Sequence, residues 1–298
     1  MKSIAPKINP RYVILLILIC VILYFVITSI KEGFESSISF DDYNLPPIEV
    51  KGKSKYTAVI VEPRKHKALE FVLNNFVDNL DDQWSFVIIH GSSNDNYVKD
   101  IITRLSDRNK KRIQLVNLGV DNLSLSQYSE MFFNPLFYKY IPTETFLIFQ
   151  TDSIIIKENK SKIYDFINYD YVGAPWPASM GLLGKMVCGN GGLSLRKKSK
   201  MVELLKYKER ALNENQQLKQ PQYGKYIAED QYFCGYFTRN EVPMNKPSFE
   251  IATYFSIESV YCESPFGVHK PWLGVSKNDY KFLTDKYPDI LTLQKQNN

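Results

Sequence analysis

Phe146-Leu147-Ile148-Phe149 is an unbroken apolar run that stops at Gln150-Thr151-Asp152-Ser153 and resumes as Ile154-Ile155-Ile156. Four apolar residues without polar alternation suit a strand covered on both faces, as in the middle of an α/β sheet. Ligands of such sheets gather beyond the carboxyl ends of the strands, so Asp152 is placed at the rim of a site. A carboxylate there is a hard oxygen ligand, suited to Mg²⁺ or Mn²⁺ carrying a diphosphate. The plainer reading is an Asp that ends a strand at a turn. A Gly-Asn-Gly-Gly turn, a Glu-Asp pair and a late Pro-Phe-Gly-Val-His segment tip the balance towards a site.

The flanking chain alternates in a way that fits this sheet. Thr57 to Val61 reads as a strand. Lys67 to Leu80 places Leu69, Val72, Leu73, Phe76, Val77 and Leu80 on one helical face. A strand at Trp84 to Ile89, a helix at Val98 to Leu105 and a strand at Ile113 to Leu118 follow. Leu125 to Tyr140 is helical with a break before Pro135. Strand, helix, strand in this order predicts parallel strands with right-handed crossovers, an α/β, Rossmann-like sheet. No GxGxxG follows the first strand, which disfavours a nicotinamide enzyme.

Val13 to Ile30 carries no charged residue and nearly matches a hydrocarbon core of roughly 30 Å at about 1.5 Å per residue. It is longer than a signal-peptide core and lacks a clear small-residue cleavage site, so retention is favoured. Lys2, Lys7 and Arg11 precede it, whereas Glu32, Glu35, Asp41 and Asp42 follow. This bias predicts a single-pass type II membrane protein. Residues 1–12 form the cytoplasmic tail, 13–30 the signal anchor, 31–54 a stem with Pro46-Pro47, and 55–298 the extracytoplasmic domain, in the secretory pathway or a virion membrane. The 37 basic and 32 acidic residues are interspersed, without a basic stripe apart from Arg196-Lys197-Lys198 and Lys110-Lys111-Arg112, which read as solvated helix or loop ends, and this argues against nucleic acid as a partner. Outside the anchor lie Cys188, Cys234 and Cys262, compatible with one disulfide and a free thiol or with three reduced cysteines. Asn122 and Asn159 open formal glycosylation sequons.

Glu62 and Arg64, after the first strand, could contact a nucleotide base, ribose or phosphate, or belong to a solvated loop. His90-Gly91 is a weaker candidate of the same kind. Trp176, in Tyr171-Val172-Gly173-Ala174-Pro175-Trp176-Pro177, is either a stacking platform for a sugar or a core residue. Gly181 to Gly184 reads as a loop able to close over a ligand. In Gly189-Asn190-Gly191-Gly192, Gly191 and Gly192 let the backbone approach a ligand and offer N–H groups to its oxygens, unless they form a structural turn. Ser199 to about Leu212 is helical and Asn213 to Tyr226 a polar loop. Glu229-Asp230 either cap a helix or supply a base, Asp230 foremost, for an acceptor hydroxyl. His269 could complete a metal shell or hold a phosphate, with Lys270 neutralising charge, although a lone His is more often structural.

In order, Val59-Ile60-Val61-Glu62-Pro63-Arg64, Phe149-Gln150-Thr151-Asp152-Ser153, Tyr171 to Trp176, Gly189 to Arg196, Glu229-Asp230 and Pro265 to Trp272 resemble a glycosyltransferase of the GT-A type. They are most similar to an uncharacterised glycosyltransferase-like family of giant viruses and some eukaryotes. The resemblance covers roughly Tyr56 to Trp272. It implies a Rossmann-like GT-A fold with a central, mostly parallel mixed sheet, and transfer from a nucleotide-diphosphate sugar, a UDP-sugar among them, to a hydroxyl of a glycan, glycoprotein or glycolipid. It also implies Mn²⁺ or Mg²⁺ on Asp152 and His269, donor contacts from Glu62, Arg64, Gln150, Asp152, Gly191, Gly192 and Lys270, acceptor contacts from Trp176 and Asn190, and catalysis by Asp230 with Glu229. Gln150 stands where the family's Asp-x-Asp motif has its first carboxylate, which puts strong metal dependence in doubt. A non-catalytic glycan-binding or structural membrane protein on the same fold is the alternative.

Overall fold

A computed structural model describes residues 54–180, 189–214 and 228–298. The expected anchor and stem, the Gly181 to Gly184 loop and most of the Asn213 to Tyr226 loop lie outside them. Among the described residues no helix is long and apolar enough to cross a membrane.

Six strands form the main sheet in the order β3-β2-β1-β4-β7-β6. They are β1 (Tyr56–Glu62), β2 (Trp84–His90), β3 (Ile113–Asn117), β4 (Thr145–Phe149), β6 (Tyr171–Pro175) and β7 (Gly189–Lys197). The first four run parallel, as the alternation of strand and helix demands. β7 is antiparallel to both of its neighbours, so the sheet is mixed. This reversal positions the site: an antiparallel strand begins where its parallel neighbour ends, which puts Gly189–Gly192 beside the carboxyl end of β4.

A second sheet, β5-β9-β8, continues from the Gln150–Ser153 turn. It comprises β5 (Ser153–Ile155), β8 (Ser256–Ile257) and β9 (Gly267–His269). β5 and β9 pair antiparallel with Ser153 opposite His269, which returns the late histidine to the end of β4. Helix α1 (Leu69–Asn79) covers the join. Its Asn75 donates from Nδ2 to Ile155 O at 3.0 Å and accepts from Ile155 N at 2.8 Å, satisfying the outer edge of β5. The next residue, Phe76, stacks on Phe149 with ring centroids 3.9 Å apart, both fully buried. Each such side chain contributes about 2–3 kcal/mol through burial.

The remaining helices used below are α2 (Asp95–Arg104), α3 (Leu125–Phe132), α4 (Lys198–Leu205), α5 (Lys208–Glu214), α6 (Glu229–Phe233), α7 (Phe249–Thr253), α8 (Lys277–Lys286) and α9 (Asp289–Asn297). Ser124 and Gln127 form a reciprocal capping box that starts α3. The helix expected over Ser199 to Leu212 is two, α4 and α5, and the break expected before Pro135 separates α3 from a 3₁₀ turn at Pro135–Tyr140. A larger departure concerns Gly-Asn-Gly-Gly, expected as a turn. It is the first stretch of β7, because Tyr171 and Pro175 of β6 hold it in the sheet.

Candidate active site

The turn after β4 is closed by its own side chain. Ser153 Oγ donates to Gln150 O at 2.7 Å and accepts from Gln150 N at 3.1 Å, which leaves the Asp152 carboxylate projecting from a rigid loop. Asn297, in the last turn of α9, donates from Nδ2 to Thr151 O at 3.0 Å and holds the turn from outside.

Asp152 meets His269. Oδ1 and Nε2 stand 3.0 Å apart, yet neither Oδ1 nor either ring nitrogen has an aligned hydrogen-bond partner. Burial alone would lower the imidazolium's pKa, but the nearby Asp152 charge raises it to about 9. Burial would likewise raise Asp152, and the His269 charge, then Lys270, hold it down to about 2. On the far side of the ring, Glu258 Oε1 lies 3.4 Å from Nδ1, and Glu258 Oε2 accepts from Trp176 Nε1 at 3.3 Å.

Two adjacent glycines of β7 connect the groups. A Cβ on Gly192 would sit 2.3 Å from His269 Nε2 and 2.7 Å from Gln150 Oε1, so imidazole and amide crowd over one bare backbone position. A Cβ on Gly191 would sit 2.2 Å from Glu229 Oε1 on the other face of the strand. The Gly191 N–H donates to Asp230 Oδ2 at 3.0 Å and the Gly192 N–H to Asn190 Oδ1 at 2.6 Å. The expectation that these two amides face a ligand is therefore corrected: side chains of the protein already occupy them, and the glycines are needed for the room they leave.

Asp230 carries the second reactive group. Burial, then the Glu229 charge, raises its carboxyl to about 7, against the opposing hydrogen bond from Gly191. Glu229 itself is buried and bound bidentately by Arg196, with Nη1–Oε2 at 2.6 Å and Nη2–Oε1 at 3.0 Å. The two carboxylates expected to act together thus differ in state: one is neutralised in an ion pair and the other holds a proton near neutrality.

At the carboxyl ends of β1 and β4 lies a cavity of about 190 Å³, lined by Glu62, Arg64, Ser124, Tyr128, Gln150 and Asp152 among others. That volume takes part of a nucleotide rather than a whole nucleotide sugar. Glu62 is buried and receives the Arg64 backbone N–H, Nε and Nη2 at 2.8–2.9 Å, so it aims the half-exposed Arg64 instead of standing free for a ligand. Buried Asn94 ties the β1 and β2 loops by donating to Glu62 O and Arg64 O. Tyr128 lines the same wall as Gln150.

Several candidates have structural surroundings. Trp176 is only 6% exposed, too little for an open sugar-stacking face, and its indole holds Glu258. His90 is buried, with Nδ1 3.0 Å from Gly91 O. Asn159 Nδ2 donates to Pro265 O inside the fold, so that sequon is closed, whereas Asn122 is exposed at the cavity mouth. Lys270 has φ 35° and ψ 51°, donates its N–H to Asp152 O at 2.8 Å, and brings Nζ to 3.9 Å from Glu258. Cys234 is disulfide-bonded and Cys262 is a buried free thiol, as in the first of the two cysteine alternatives. Arg196, Glu258 and Tyr128 are the groups that sequence reasoning missed, because no local motif marks a partner brought in from another strand.

Among the described residues no three His, Cys, Asp or Glu side chains converge on a metal position. Asp152, His269 and Gln150 nevertheless fit an ion that arrives with a diphosphate. An oxygen and a nitrogen about 3 Å apart match adjacent ligands on an ion with bonds of about 2.1 Å. The orphaned buried Asp152 Oδ1 and His269 Nε2 would supply the donors, with the imidazolium giving up its proton to the ion, and the bare Gly192 lets imidazole and amide come together.

Residues 112–269 match a family described as "Protein of unknown function (DUF5672)". No curated protein matches the chain in sequence. Among solved structures, the chain is similar to the mannosyltransferase PcManGT from Pyrobaculum calidifontis in complex with GDP-Man and Mn²⁺, at 11% identity and TM-score 0.41, covering 70% of this chain and 59% of that one. Residues 1–349 of S. aureus TarS match at 15% identity and TM-score 0.43, covering 79% and 65%. The galactosyltransferase LgtC, in complex with donor and acceptor sugar analogues, matches at 10% and 0.47, covering 79% and 94%. The chain thus spans less than two thirds of PcManGT and of TarS.

Proposed function

We propose that this chain, which belongs to the DUF5672 family, is a glycosyltransferase that moves a sugar from a nucleotide-diphosphate donor to an acceptor hydroxyl. The observation that carries the reading is the convergence on the first residues of β7. Gly192 lies against His269 and Gln150, and Gly191 against Asp230, while the cavity lined by Arg64, Tyr128 and Asp152 opens at the same sheet end. Cation, donor cleft and base are the three parts that such a transfer needs.

The donor's nucleoside enters the cavity between the β1 and β4 ends, with Arg64, aimed by Glu62, directed at donor oxygens. A divalent ion held by Asp152, His269 and Gln150 would supply positive charge against the departing diphosphate. Lys270 adds a fixed ammonium nearby, since its backbone is pinned to Asp152 O. Asp230, in its deprotonated form, accepts the proton of the acceptor hydroxyl. A carboxyl near 7 suits that task, because it is a stronger base than an exposed carboxylate and is about half ionised at neutral pH and more so above it.

The test is direct: the purified full chain is incubated with a panel of nucleotide sugars, UDP-sugars first, with and without Mn²⁺, and nucleotide release is followed. Release above background that disappears in Asp230→Asn supports the reading. A chain that binds free glycans but neither binds nor cleaves any donor is a glycan-binding protein instead.

Residues 13–30 are proposed to anchor this domain as a type II membrane protein with the catalytic domain outside the cytoplasm. The disulfide at Cys234 favours an oxidising compartment. Extraction by alkali but not by salt would contradict the anchor.

A further inference from the structure

Arg196 is fully buried, and a buried guanidinium needs a reason. Its side chain lies between the rings of Phe132 and Tyr171, 5.1 and 5.3 Å from their centroids, and its forked donors are taken up by Glu229. Nε donates to Ser194 Oγ at 2.9 Å, and Ser194 Oγ donates to Gly191 O at 2.9 Å. Gly191 is thereby held from both sides: its carbonyl, in the peptide to Gly192, by the Arg196 network, and its N–H, in the peptide from Asn190, by Asp230. Burying an ion pair is costly, and well-packed apolar residues often serve stability as well or better. What apolar residues would not provide is a fixed charge distribution beside Asp230.

We propose that Arg196 and Glu229 form a positioning pair for Asp230, fixing the Gly191 backbone against which its carboxylate is held. This deepens the glycosyltransferase reading and rests on it for the identity of the proton's donor. The charged and titratable groups around Asp230 are Glu229 of its own helix, Arg196 of β7, Tyr171 of β6 and Glu258 beyond β8. Glu229 contributes the larger charge effect, upward, and Arg196 the smaller, downward. Adjacent carboxylates on one short helix are thus given opposite duties, one bound by the guanidinium and one left near its titration point.

The test reads Asp230 itself. Full-length chain carrying ¹³C-labelled aspartate is titrated by NMR, with Asp230→Asn identifying the signal. Glu229→Gln removes the negative neighbour and exposes the Arg196 charge, so the Asp230 midpoint should fall by about one unit or more. Arg196→Gln should raise it, by less than Glu229→Gln lowers it. If either single variant does not fold, the double variant Arg196→Gln/Glu229→Gln replaces ions by amides, and its midpoint should fall, because the larger effect is lost. An unmoved midpoint in a folded Glu229→Gln chain, or in the folded double variant, overturns the proposal. The outcome is separable from the enzymatic reading. A chain that shows these shifts but cleaves no donor defeats the role of Asp230 as base and leaves the positioning pair standing. A chain that transfers sugar with the midpoint unmoved defeats the pair alone.

Discussion

Gly192 and His269 touch although they belong to different sheets: a Cβ on Gly192 of β7 would lie 2.3 Å from His269 Nε2 of β9. The contact makes one site of two sheets, and it turns the absence of a side chain into a requirement. Gly192→Ala should push His269 and Gln150 apart while the strand stays paired. We expect the rise in melting temperature on adding Mn²⁺ to be lost in Gly192→Ala, as in Asp152→Ala, while nucleotide alone still binds. A full Mn²⁺ response in both variants would remove this pair from the metal site.

Gly191→Ala addresses the other face of the same strand. Its methyl group would meet Glu229 Oε1 at 2.2 Å inside a buried ion pair, where neither partner has free space. The expected cost is about 1–3 kcal/mol, read as a lowered denaturation midpoint at unchanged slope. Wild-type stability would show that the pair can shift aside.

For Asp230 the pH dependence has a definite sign. Its folded pKa is raised from 3.8 to about 7, so the protonated form is favoured by folding and the group's contribution falls as pH rises between those values. Asp230→Asn should therefore stabilise the chain at pH 8, by on the order of 1 kcal/mol after allowance for partial solvent contact, and much less at pH 4. Transfer should respond in the opposite sense, rising with pH through about 7 in the wild type and falling at least about 100-fold in Asp230→Asn. Equal stability differences at both pH values would contradict the raised pKa.

Lys270 tests local strain against charge. Its φ of 35° is in the left-handed region, and among the described residues it is the sole non-glycine residue there. Lys270→Gly removes about 1 kcal/mol of backbone strain and an ammonium together. We expect unchanged or slightly raised thermal stability with weaker donor binding, measured by calorimetry. Unchanged donor affinity would dismiss the ammonium from the site.

Arg64→Ala should weaken nucleotide binding by roughly tenfold without unfolding the chain, since the guanidinium is half-exposed. The Glu62 carboxylate then loses its partner while buried, so Arg64→Lys is the control. It keeps the charge and removes the fork. Retained affinity in Arg64→Ala would place the donor elsewhere.

The parallel part of the sheet was legible because β1, β2 and β4 are largely apolar strands buried on both faces and the helices between strands carry an apolar stripe; β3, at the edge, is only partly covered. Asp152, Asp230 and His269 were legible as polar residues in constrained settings. Less could be read where function depends on partners. Trp176 looks like a platform in sequence but lies almost wholly buried, because its ring fills the space beside Glu258. Glu229 looks equivalent to Asp230, and only Arg196, brought alongside by β7, separates them.

By itself, the order of residues determined the parallel strands and the helices between them, since periodicity is written locally, but not the strand that begins at Gly189. It also determined that a carboxylate follows β4. The tertiary structure alone decided that β7 runs backwards beside β4, setting its two glycines between His269 and Asp230. Strand direction and side-chain ionisation both depend on neighbours distant in the chain, and no local pattern specifies them.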